Sequence, residues 1–320
     1  MSTICHASNE VCLGQNSEIS QLFAELQKNF KVQNADQILD CYDFHEVLGA
    51  GAFGTVVRCV HKLTGSVFAT KILPAQPSSF KEANLLAQLN HPGIVKLQDV
   101  FVNDQLIFLV LEYCHTTLAS LKLITSSEIL SSITVQVLEA LAYLHAKGIV
   151  HRDIKPENIL IQKQADGTFV PKIADFGIAL RLDQATSMAS SAAGTNYYLA
   201  PEMIYNQYSY KVDLWSTGMV LLTLSTKTLP FRGTSQRQLF QEIIAFKSQE
   251  VVFPDWVDQG LQTVIRKLLT HSPDQRPSAE QTLSMLTTKP RSWSNASTVA
   301  LTEFAFGDAS FIQENNPTAH

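Results

Sequence analysis

The sequence predicts an α+β fold in which a strand-rich part precedes a mainly helical part. From residue 42 onward, short runs of apolar and β-branched residues alternate with glycine-containing turns, as is typical of neighbouring strands. Residues 127–147 instead carry apolar side chains along one helical stripe, and residues 214–224 form a second, very apolar helical stretch. A chain of 320 residues is long enough for two compact units.

Composition and charge argue against several classes of partner. The chain has a formal net charge of −5 and no long basic run, so we expect no nucleic-acid surface. The apolar runs, such as residues 106–111, are too short to span a bilayer, and we expect no membrane partner. Five single cysteines without a CxxC pair indicate reduced thiols, so we expect a cytoplasmic protein, with access to the nucleus left open. The oligomeric state is not indicated.

The first 41 residues read as an extension ahead of the folded domain. Residues 1–16 are polar and mixed, and we expect them to be disordered. Residues 17–30 place apolar side chains at helical spacing behind Ser17, a suitable N-cap, which predicts a helix. Two interpretations of this helix stay open: a docking or regulatory helix, or a helix that packs on the domain's own surface. We favour the second.

A glycine-rich stretch joins the first two predicted strands. Gly49, Gly51 and Gly54 form G-x-G-x-x-G, and glycines let a backbone lie close over phosphates because no side chain intervenes. Dinucleotide-binding turns have the same spacing, but there the motif opens a helix, whereas here it connects two strands. The stretch therefore predicts a phosphate-covering loop between strands.

Residues 150–161, VHRDIKPENILI, are the most informative stretch of the chain. They place Arg152, Asp153, Lys155 and Asn158 between apolar flanks that predict short buried strands at both ends of a loop. A rigid loop that presents a carboxylate, an ammonium and an amide suits phosphoryl transfer, which depends mostly on positioning and electrostatic stabilisation. The stretch resembles the catalytic loop of protein kinases, His-Arg-Asp followed five residues later by Asn.

Further motifs of the protein kinase family stand in the expected order, which the alternative of a charged surface loop does not explain. They are the glycine loop, Ala69-Thr70-Lys71, Glu82, Asp175-Phe176-Gly177, Ala200-Pro201-Glu202, Asp213-Leu214-Trp215 and Arg276. The resemblance covers about residues 42–287. It is to the serine/threonine class and leans towards the calmodulin-dependent-kinase-like group.

The resemblance implies a two-lobed, protein-kinase-like fold. Residues 42–111 would form a small antiparallel β-sheet lobe with one regulatory helix, followed by a hinge at 112–114. Residues 115–288 would form a larger, mainly α-helical lobe, so that the kinase domain spans 42–288. Residues 289–320 are a C-terminal tail, either disordered or docked on the domain, and its aromatic side chains favour docking.

The resemblance also implies an ATP site. Lys71 would contact the α- and β-phosphates, and Glu82, on a helix predicted at about residues 79–89, would pair with Lys71. The implied ATP-binding residues are Leu48, Gly49, Gly51, Gly54, Val56, Ala69, Lys71, Glu82, Glu112, Cys114 and Leu160, with Phe53 at the loop tip. Because Pro74 and Pro77 precede the helix, only about one turn is expected before Glu82, which bears on how freely this helix can swing.

The implied catalytic set is Asp153, Lys155 and Lys71. Asp153 would accept or orient the proton of the substrate hydroxyl, and Lys155 would neutralise the migrating γ-phosphoryl. Asn158 and Asp175 would hold Mg²⁺, which prefers oxygen ligands and borrows phosphate oxygens. ATP and Mg²⁺ are therefore the implied cofactors.

Residues 178–199 would form the activation segment, which is rich in hydroxyl side chains. By position, Ser191 is a candidate phosphorylation site, and Thr195 is a second regulatory candidate. A phosphate at Ser191 could pair with Arg152, and also with Arg181, and order the segment, with an upstream kinase as the partner. The alternative is a flexible linker of serine and alanine.

Several other residues are expected to be structural. Asp213 would anchor the catalytic-loop backbone, Arg276 would pair with Glu202, and His151 would act in packing rather than as an acid or base. The other histidines read as incidental.

Two functions are compatible with these motifs. The first is ATP-dependent phosphorylation of serine and threonine in proteins, and the second is a pseudokinase-type scaffold that binds nucleotide or partners without transfer. Scaffolds of that kind usually lack the lysine or one of the metal-binding residues. Here all four expected residues are present: Lys71, Asp153, Asn158 and Asp175. Glu157 is a carboxylate suited to basic substrates, but Leu118 and Thr223 stand where such kinases often have Glu, so at most a modest Arg preference is expected.

Overall fold

The computed structural model describes residues 17–51, 54–121, 124–165, 167–182, 197–207 and 209–287. Within these ranges the chain divides into two compact units, one holding residues up to 89 and 96–113, the other residues 90–95 and 114–287. A sheet-based unit and a mainly helical unit confirm the predicted α+β class and two-lobed fold. The expected disorder of residues 1–16, the tail at 289–320, Phe53, Ser191 and Thr195 all lie outside the described residues.

The first unit is built on a six-stranded sheet with the strand order β1-β5-β6-β4-β3-β2. Its strands are β1 (Val32–Asn34), β2 (Tyr42–Gly51), β3 (Gly54–His61), β4 (Val67–Pro74), β5 (Leu97–Val102) and β6 (Leu106–Glu112). Its helices are α1 (Ser17–Asn29), α2 (Ile38–Cys41) and α3 (Pro77–Ala87). β6 lies inside the sheet between β5 and β4, which explains its nearly continuous apolar sequence LIFLVLE.

The edge strand β1 corrects the predicted topology. The sequence predicts an antiparallel sheet, but β1 pairs with β5 in parallel, with Val32 opposite Val100, so the sheet is mixed. Residues 17–41, which the sequence assigns to an extension, therefore belong to the first unit. β1 also supplies hydrogen-bond partners to an edge of β5 that would otherwise be unpaired.

A small apolar cluster joins the segment after β1 to the sheet. Its buried members are Ala35, Ile38, Tyr42, Cys59, Phe101 and Val110. The Tyr42 hydroxyl donates a hydrogen bond to Asp99 on β5, and Gln33 Nε2 donates to the same carboxylate at 3.2 Å. Burial, and then the bond to Asp99, raises the pKa of Tyr42 above its ordinary value. The hydroxyl therefore stays protonated and remains a donor.

Helix α3 begins two residues earlier than the sequence predicts. Pro77 is its first residue, with Gln76 at the N-cap. Proline is tolerated at this position because the first N–H groups of a helix have no partner within the helix. Residues 77–81 thus precede Glu82, slightly more than the one turn expected.

The second unit consists mainly of helices. These are α4 (Ser127–Ala146), α5 (Lys211–Thr226), α6 (Gln236–Ala245), α7 (Gln259–Leu268) and α8 (Ala279–Thr287). Its short strands are β7 (Thr116–Thr117), β8 (Ile149–Val150), β9 (Ile159–Lys163), β10 (Phe169–Ile173) and β11 (Leu180–Arg181). They form a three-stranded sheet, β10-β9-β7, and a two-stranded sheet, β11-β8.

Helix α4 leads into the catalytic loop and follows its sequence signals closely. Ser126 Oγ caps it by accepting a hydrogen bond from Ile129 N at 3.3 Å, and Gly148 stops it with φ +70°. Among the described helices, α4 is long and apolar enough to cross a membrane, unlike the short apolar runs such as residues 106–111. Half of its apolar stretch is buried inside the protein, and core helices of folded domains have the same length and composition.

Candidate active site

A buried ion pair joins β4 to α3 within the first unit. Lys71 on β4 and Glu82 on α3 are both almost fully buried, and Lys71 Nζ donates to Glu82 Oε1 at 2.7 Å. A buried ammonium and carboxylate each lose hydration, so each requires the other as a partner. The pair fixes the Lys71 ammonium in one place, as its predicted phosphate contact requires.

Several predicted ATP-binding residues share one face of the first unit's sheet. In the antiparallel register of β3 and β4, Val56 is opposite Lys71 and Arg58 is opposite Ala69. Residues opposite each other, or two apart on one strand, point to the same side of a sheet, so Val56, Ala69 and Lys71 lie together. Gly49 on β2 pairs with Val56, and Leu48 lies at the irregularity in register between Val47 and Gly49.

The glycine motif joins β2 to β3, as the sequence predicts. Gly51 and Gly54 face each other at the end of this hairpin, and the two residues between them lie outside the described part of the chain. Gly54 has φ +103°, and a Cβ added there would lie 2.4 Å from the carbonyl oxygen of Ile72. Only glycine fits this position without displacing the backbone of β4.

Gly54→Ala is therefore expected to lower the free energy of unfolding by about 1–3 kcal/mol, from backbone strain and the contact with Ile72. Gly49→Ala is the matched control, because no atom lies within 4 Å of a Cβ at that position. Urea unfolding of both variants measures the difference. Equal stability of the two variants would contradict this account of Gly54.

The three remaining nucleotide-binding candidates lie where the chain leaves the first sheet and on β9. Glu112 ends β6, and its Oε1 accepts a hydrogen bond from Lys96 N at 2.8 Å. In the second unit, His115 N donates to Ile161 O at 2.9 Å. Cys114 therefore lies on the segment that leads into β7, Leu160 lies on the neighbouring strand β9, and both side chains are half-buried.

The catalytic loop of the second unit gathers its polar side chains around Asp153. Asp153 Oδ2 accepts hydrogen bonds from Lys155 Nζ at 2.7 Å and from Asn158 Nδ2 at 2.8 Å. Asn158 Nδ2 also donates to the carbonyl oxygen of Asp153 at 2.9 Å. Hydrogen bonds between charged groups are short and strong, so these contacts fix the position of the Asp153 carboxylate within the loop.

The backbone of this loop is anchored by Asp213, in the first turn of α5. Its carboxylate accepts hydrogen bonds from His151 N at 2.9 Å and from Arg152 N at 2.8 Å. Arg152 has φ +68°, an uncommon conformation for a residue with a side chain, and Asp213 accepts hydrogen bonds from the two amide groups that lead into this bend. These contacts support the expected structural role of Asp213 as an anchor of the catalytic-loop backbone.

His145 is a functional contact that sequence reasoning missed. Its Nε2 lies 2.9 Å from Asp213 Oδ2, although the sequence indicated that histidines other than His151 are incidental. Burial alone would raise the pKa of Asp213, but the hydrogen bond from His145 and the donors of the catalytic loop outweigh it and hold that pKa below its ordinary value. No local pattern marks His145, because its partner is 68 residues away.

The lowered pKa of Asp213 predicts a pH dependence. Its stabilising contribution is fully present above the ordinary pKa of 3.8 and is lost as the pH falls through the lowered folded value. Asp213→Asn is expected to cost about 1.5–3 kcal/mol at pH 7, from weaker hydrogen bonds to the loop, and to flatten the acid dependence. Urea unfolding from pH 7 to pH 2 measures both. The exposed Asp255→Asn is the control, and an equally steep acid dependence in both variants would contradict the prediction.

The two predicted magnesium ligands are brought together by a hairpin. Ile159 on β9 pairs with Ile173 on β10, and Ala174 N donates to Asn158 O at 2.9 Å. Asn158 and Asp175 therefore lie at the same end of this pair of strands. Because the side-chain nitrogen of Asn158 donates a hydrogen bond to Asp153, the side-chain oxygen of Asn158 would be the atom that holds the metal.

The donor set fits Mg²⁺. Among the described residues, no group of three or more His, Cys, Asp or Glu side chains forms a metal cage. Magnesium is usually held by one or two protein oxygens together with water and substrate phosphates, which an amide oxygen and a carboxylate can supply.

His151 acts in packing. It is fully buried, its ring meets Phe176 edge-on at 4.9 Å between centroids, and its Nε2 lies 3.0 Å from the carbonyl oxygen of Ala174. These contacts join the catalytic loop to the segment that carries Asp175. Arg152 adds a link, since its Nε donates to Ile178 O at 2.7 Å.

Residues 42–286 match the family model described as protein kinase domain. Calcium/calmodulin-dependent protein kinase type II of Caenorhabditis briggsae is 35% identical over 270 residues, covering 77% of this chain and 48% of that protein. The type II alpha chain of Drosophila melanogaster is 33% identical over 268 residues, covering 76% and 48%. Calcium-dependent protein kinase 6 of Plasmodium berghei is 34% identical over 223 residues, covering 67% and 15%.

The chain spans about half the length of these relatives or less. The similarity confirms the predicted resemblance, including its lean towards the calmodulin-dependent group. With the fold and the order of motifs, the family match shows that this chain belongs to the protein kinase family.

Proposed function

We propose that the protein is a serine/threonine protein kinase that transfers the γ-phosphoryl group of ATP to hydroxyl groups of proteins. The observation that carries the proposal is the Asp153 carboxylate, bonded to both Lys155 and Asn158 in a loop that Asp213 holds. All three side chains suit transfer to a hydroxyl, in which a base and cations must be placed around one phosphoryl group.

The chain's own residues account for each part of the reaction. Asp153 accepts the proton of the substrate hydroxyl while the hydroxyl oxygen forms a bond to the γ-phosphorus of ATP. The bond between the γ-phosphorus and the oxygen that leaves with ADP breaks. Lys155, beside Asp153, offsets the negative charge on the phosphoryl group, and Lys71, held by Glu82, binds the α- and β-phosphates. Mg²⁺, when bound through Asn158 and Asp175, neutralises further phosphate charge.

The substrate is proposed to be a protein with a serine or threonine acceptor and little dependence on upstream arginine. Leu118 is fully buried, so it belongs to the core and offers no charge to a substrate. Glu157 is exposed. Partial burial, and then the nearby charge of Glu157, raises the pKa of the half-buried Tyr198 to about 12. A peptide array dominated by upstream arginine would contradict this assignment.

Regulation by phosphorylation of the activation segment is also part of the proposal. Ser191 is the principal site, Thr195 is the second, and Arg152 is the proposed partner of a phosphate at Ser191, with an upstream kinase as the enzyme that adds it. Ser191→Ala is the variant to compare with wild type. Unchanged activity, with no phosphate detected at Ser191 by mass spectrometry, would exclude this switch.

We place the protein in a cytoplasmic, reducing compartment. The cysteines in the described residues, Cys41, Cys59 and Cys114, are free thiols. Burial raises the pKa of the Cys59 thiol, which favours its unreactive protonated form. Fractionation of cells that express the protein, followed by immunoblotting, tests the assignment.

The activity itself is tested by incubating the protein with ATP labelled in the γ-phosphate and a generic protein substrate, with Mg²⁺ and with EDTA. Magnesium-dependent label on serine or threonine, located by mass spectrometry, is the expected result. ATP binding without any transfer would favour the scaffold function instead. Label on a small molecule alone would contradict protein as the substrate.

A further inference from the structure

Helix α1 packs against the helix that carries Glu82. Phe23 and Leu26 are the buried side chains of α1, and the Phe23 ring meets the Phe80 ring of α3 edge-on, 6.1 Å between centroids. Asn84 Nδ2, also on α3, donates to the carbonyl oxygen of Leu22 at 2.8 Å. Among the described elements, α3 packs more extensively against α1 than against any strand of the sheet.

The contacts with α1 lie on the side of α3 opposite Glu82. Successive residues of an α-helix are rotated by about 100°, so residues two apart point in nearly opposite directions. Phe80 and Asn84 are one turn apart and face α1, whereas Glu82, midway between them, faces Lys71. α3 is therefore held between α1 on one side and the ion pair on the other.

The position of α1 is itself fixed by the sheet. Only residues 30 and 31 separate α1 from β1, and β1 is paired along its length with β5. By contrast, the exposed ion pair between Glu18 and Lys81 on the outer surface contributes little, because water screens it. The buried contacts of Phe23 and Leu22 are what hold α3.

We infer that Phe23 is a positioning residue for the binding of ATP: through Phe80 it holds α3 so that Glu82 orients Lys71 toward the phosphates of ATP. This inference rests on the proposed function. It gives the helix ahead of the kinase domain a role in nucleotide binding, beyond packing on the domain's surface. If α3 moves, Glu82 no longer holds Lys71 in one position, and Lys71 binds the phosphates of ATP more weakly.

The test is a double-mutant cycle on the dissociation constant of Mg-ATP. Phe23→Ala in the wild-type background is expected to weaken Mg-ATP binding about tenfold, within the usual range of coupling between sites. In the Glu82→Gln background the same change is expected to alter the dissociation constant less than about twofold, because the pair through which it acts is already broken. Gln27→Ala, on the exposed side of α1, is the matched control and should leave binding unchanged.

A milder variant guards against loss of folding. Phe23→Leu keeps an apolar side chain at the interface, so it is expected to remain folded and to show a smaller shift in the same direction. Hydrogen exchange should become faster in residues 77–87 of both Phe23 variants and stay unchanged in β3 and β4.

Equal fold-changes in the two backgrounds, or unchanged binding in a folded Phe23→Ala protein, would overturn the inference. So would unchanged Mg-ATP affinity in Glu82→Gln alone. Because binding is measured separately from transfer, a wild-type protein that binds Mg-ATP but transfers no phosphate contradicts the proposed function and leaves the positioning test intact. Absence of Mg-ATP binding by wild type overturns both.

Discussion

Asp153→Asn is expected to lower the rate of phosphoryl transfer by about 10²- to 10⁴-fold, the usual contribution of a positioned base. Asparagine has the same shape as aspartate, and its side-chain oxygen can still accept the bonds from Lys155 and Asn158. It cannot take the proton of the substrate hydroxyl. The loss should therefore appear in kcat, with the dissociation constant of Mg-ATP within about twofold of wild type.

The exposed residue Asp255 supplies the matched control, since Asp255→Asn makes the same carboxylate-to-amide change in the same unit, away from the loop. Initial rates with γ-labelled ATP, compared at saturating substrate, measure the effect. Comparable rates for both variants would remove Asp153 from the role of base. A loss of ATP binding in Asp153→Asn would indicate damage to the site rather than to proton transfer.

Arg276→Ala is expected to lower the free energy of unfolding by about 3–5 kcal/mol, because it leaves a buried carboxylate without its counter-charge. Arg276 is fully buried, and its Nη1 and Nη2 donate to the two oxygens of Glu202 at 2.6 and 3.0 Å. The guanidinium also lies over the Trp215 ring and donates to the carbonyl oxygen of Thr270. All of these contacts are lost together.

The double variant Glu202→Leu, Arg276→Met separates the unpaired charge from the lost packing. Removing both charges should be less destabilising than Arg276→Ala by about 1–4 kcal/mol. Arg276→Lys should remain destabilised, since an ammonium cannot reproduce the two parallel bonds. Urea unfolding followed by far-ultraviolet circular dichroism compares the three. A loss below about 1 kcal/mol in Arg276→Ala would contradict the argument.

The motifs and the local elements of this protein could be predicted from sequence. The helical stripe and Gly148 predicted α4 to within a residue at its end, and the hydrophobic flanks predicted the strands on either side of the catalytic loop. The expected pairs Lys71–Glu82 and Glu202–Arg276 and the anchor Asp213 appear as hydrogen-bonded contacts. In each case the residue type and its order along the chain carried the signal.

Local spacing carries little information where a contact joins distant parts of the chain. The parallel pairing of β1 with β5 was missed because three residues have no periodicity to read and parallel partners need not be neighbours in sequence. His145 looked incidental because its partner, Asp213, follows only after the whole catalytic loop. The helix at α1 was predicted, but its packing face could be matched to α3 only in the folded protein.

The sequence by itself determined the kinase family and the extent of α4, and it singled out the candidate catalytic residues, because these depend on residue type and on spacing within one element. The tertiary structure decided which face of α3 carries Glu82 and which meets Phe23, and how His145 and the loop amides share Asp213. Such choices follow from burial: a buried polar or charged group must find a partner, and the fold determines which one lies within reach.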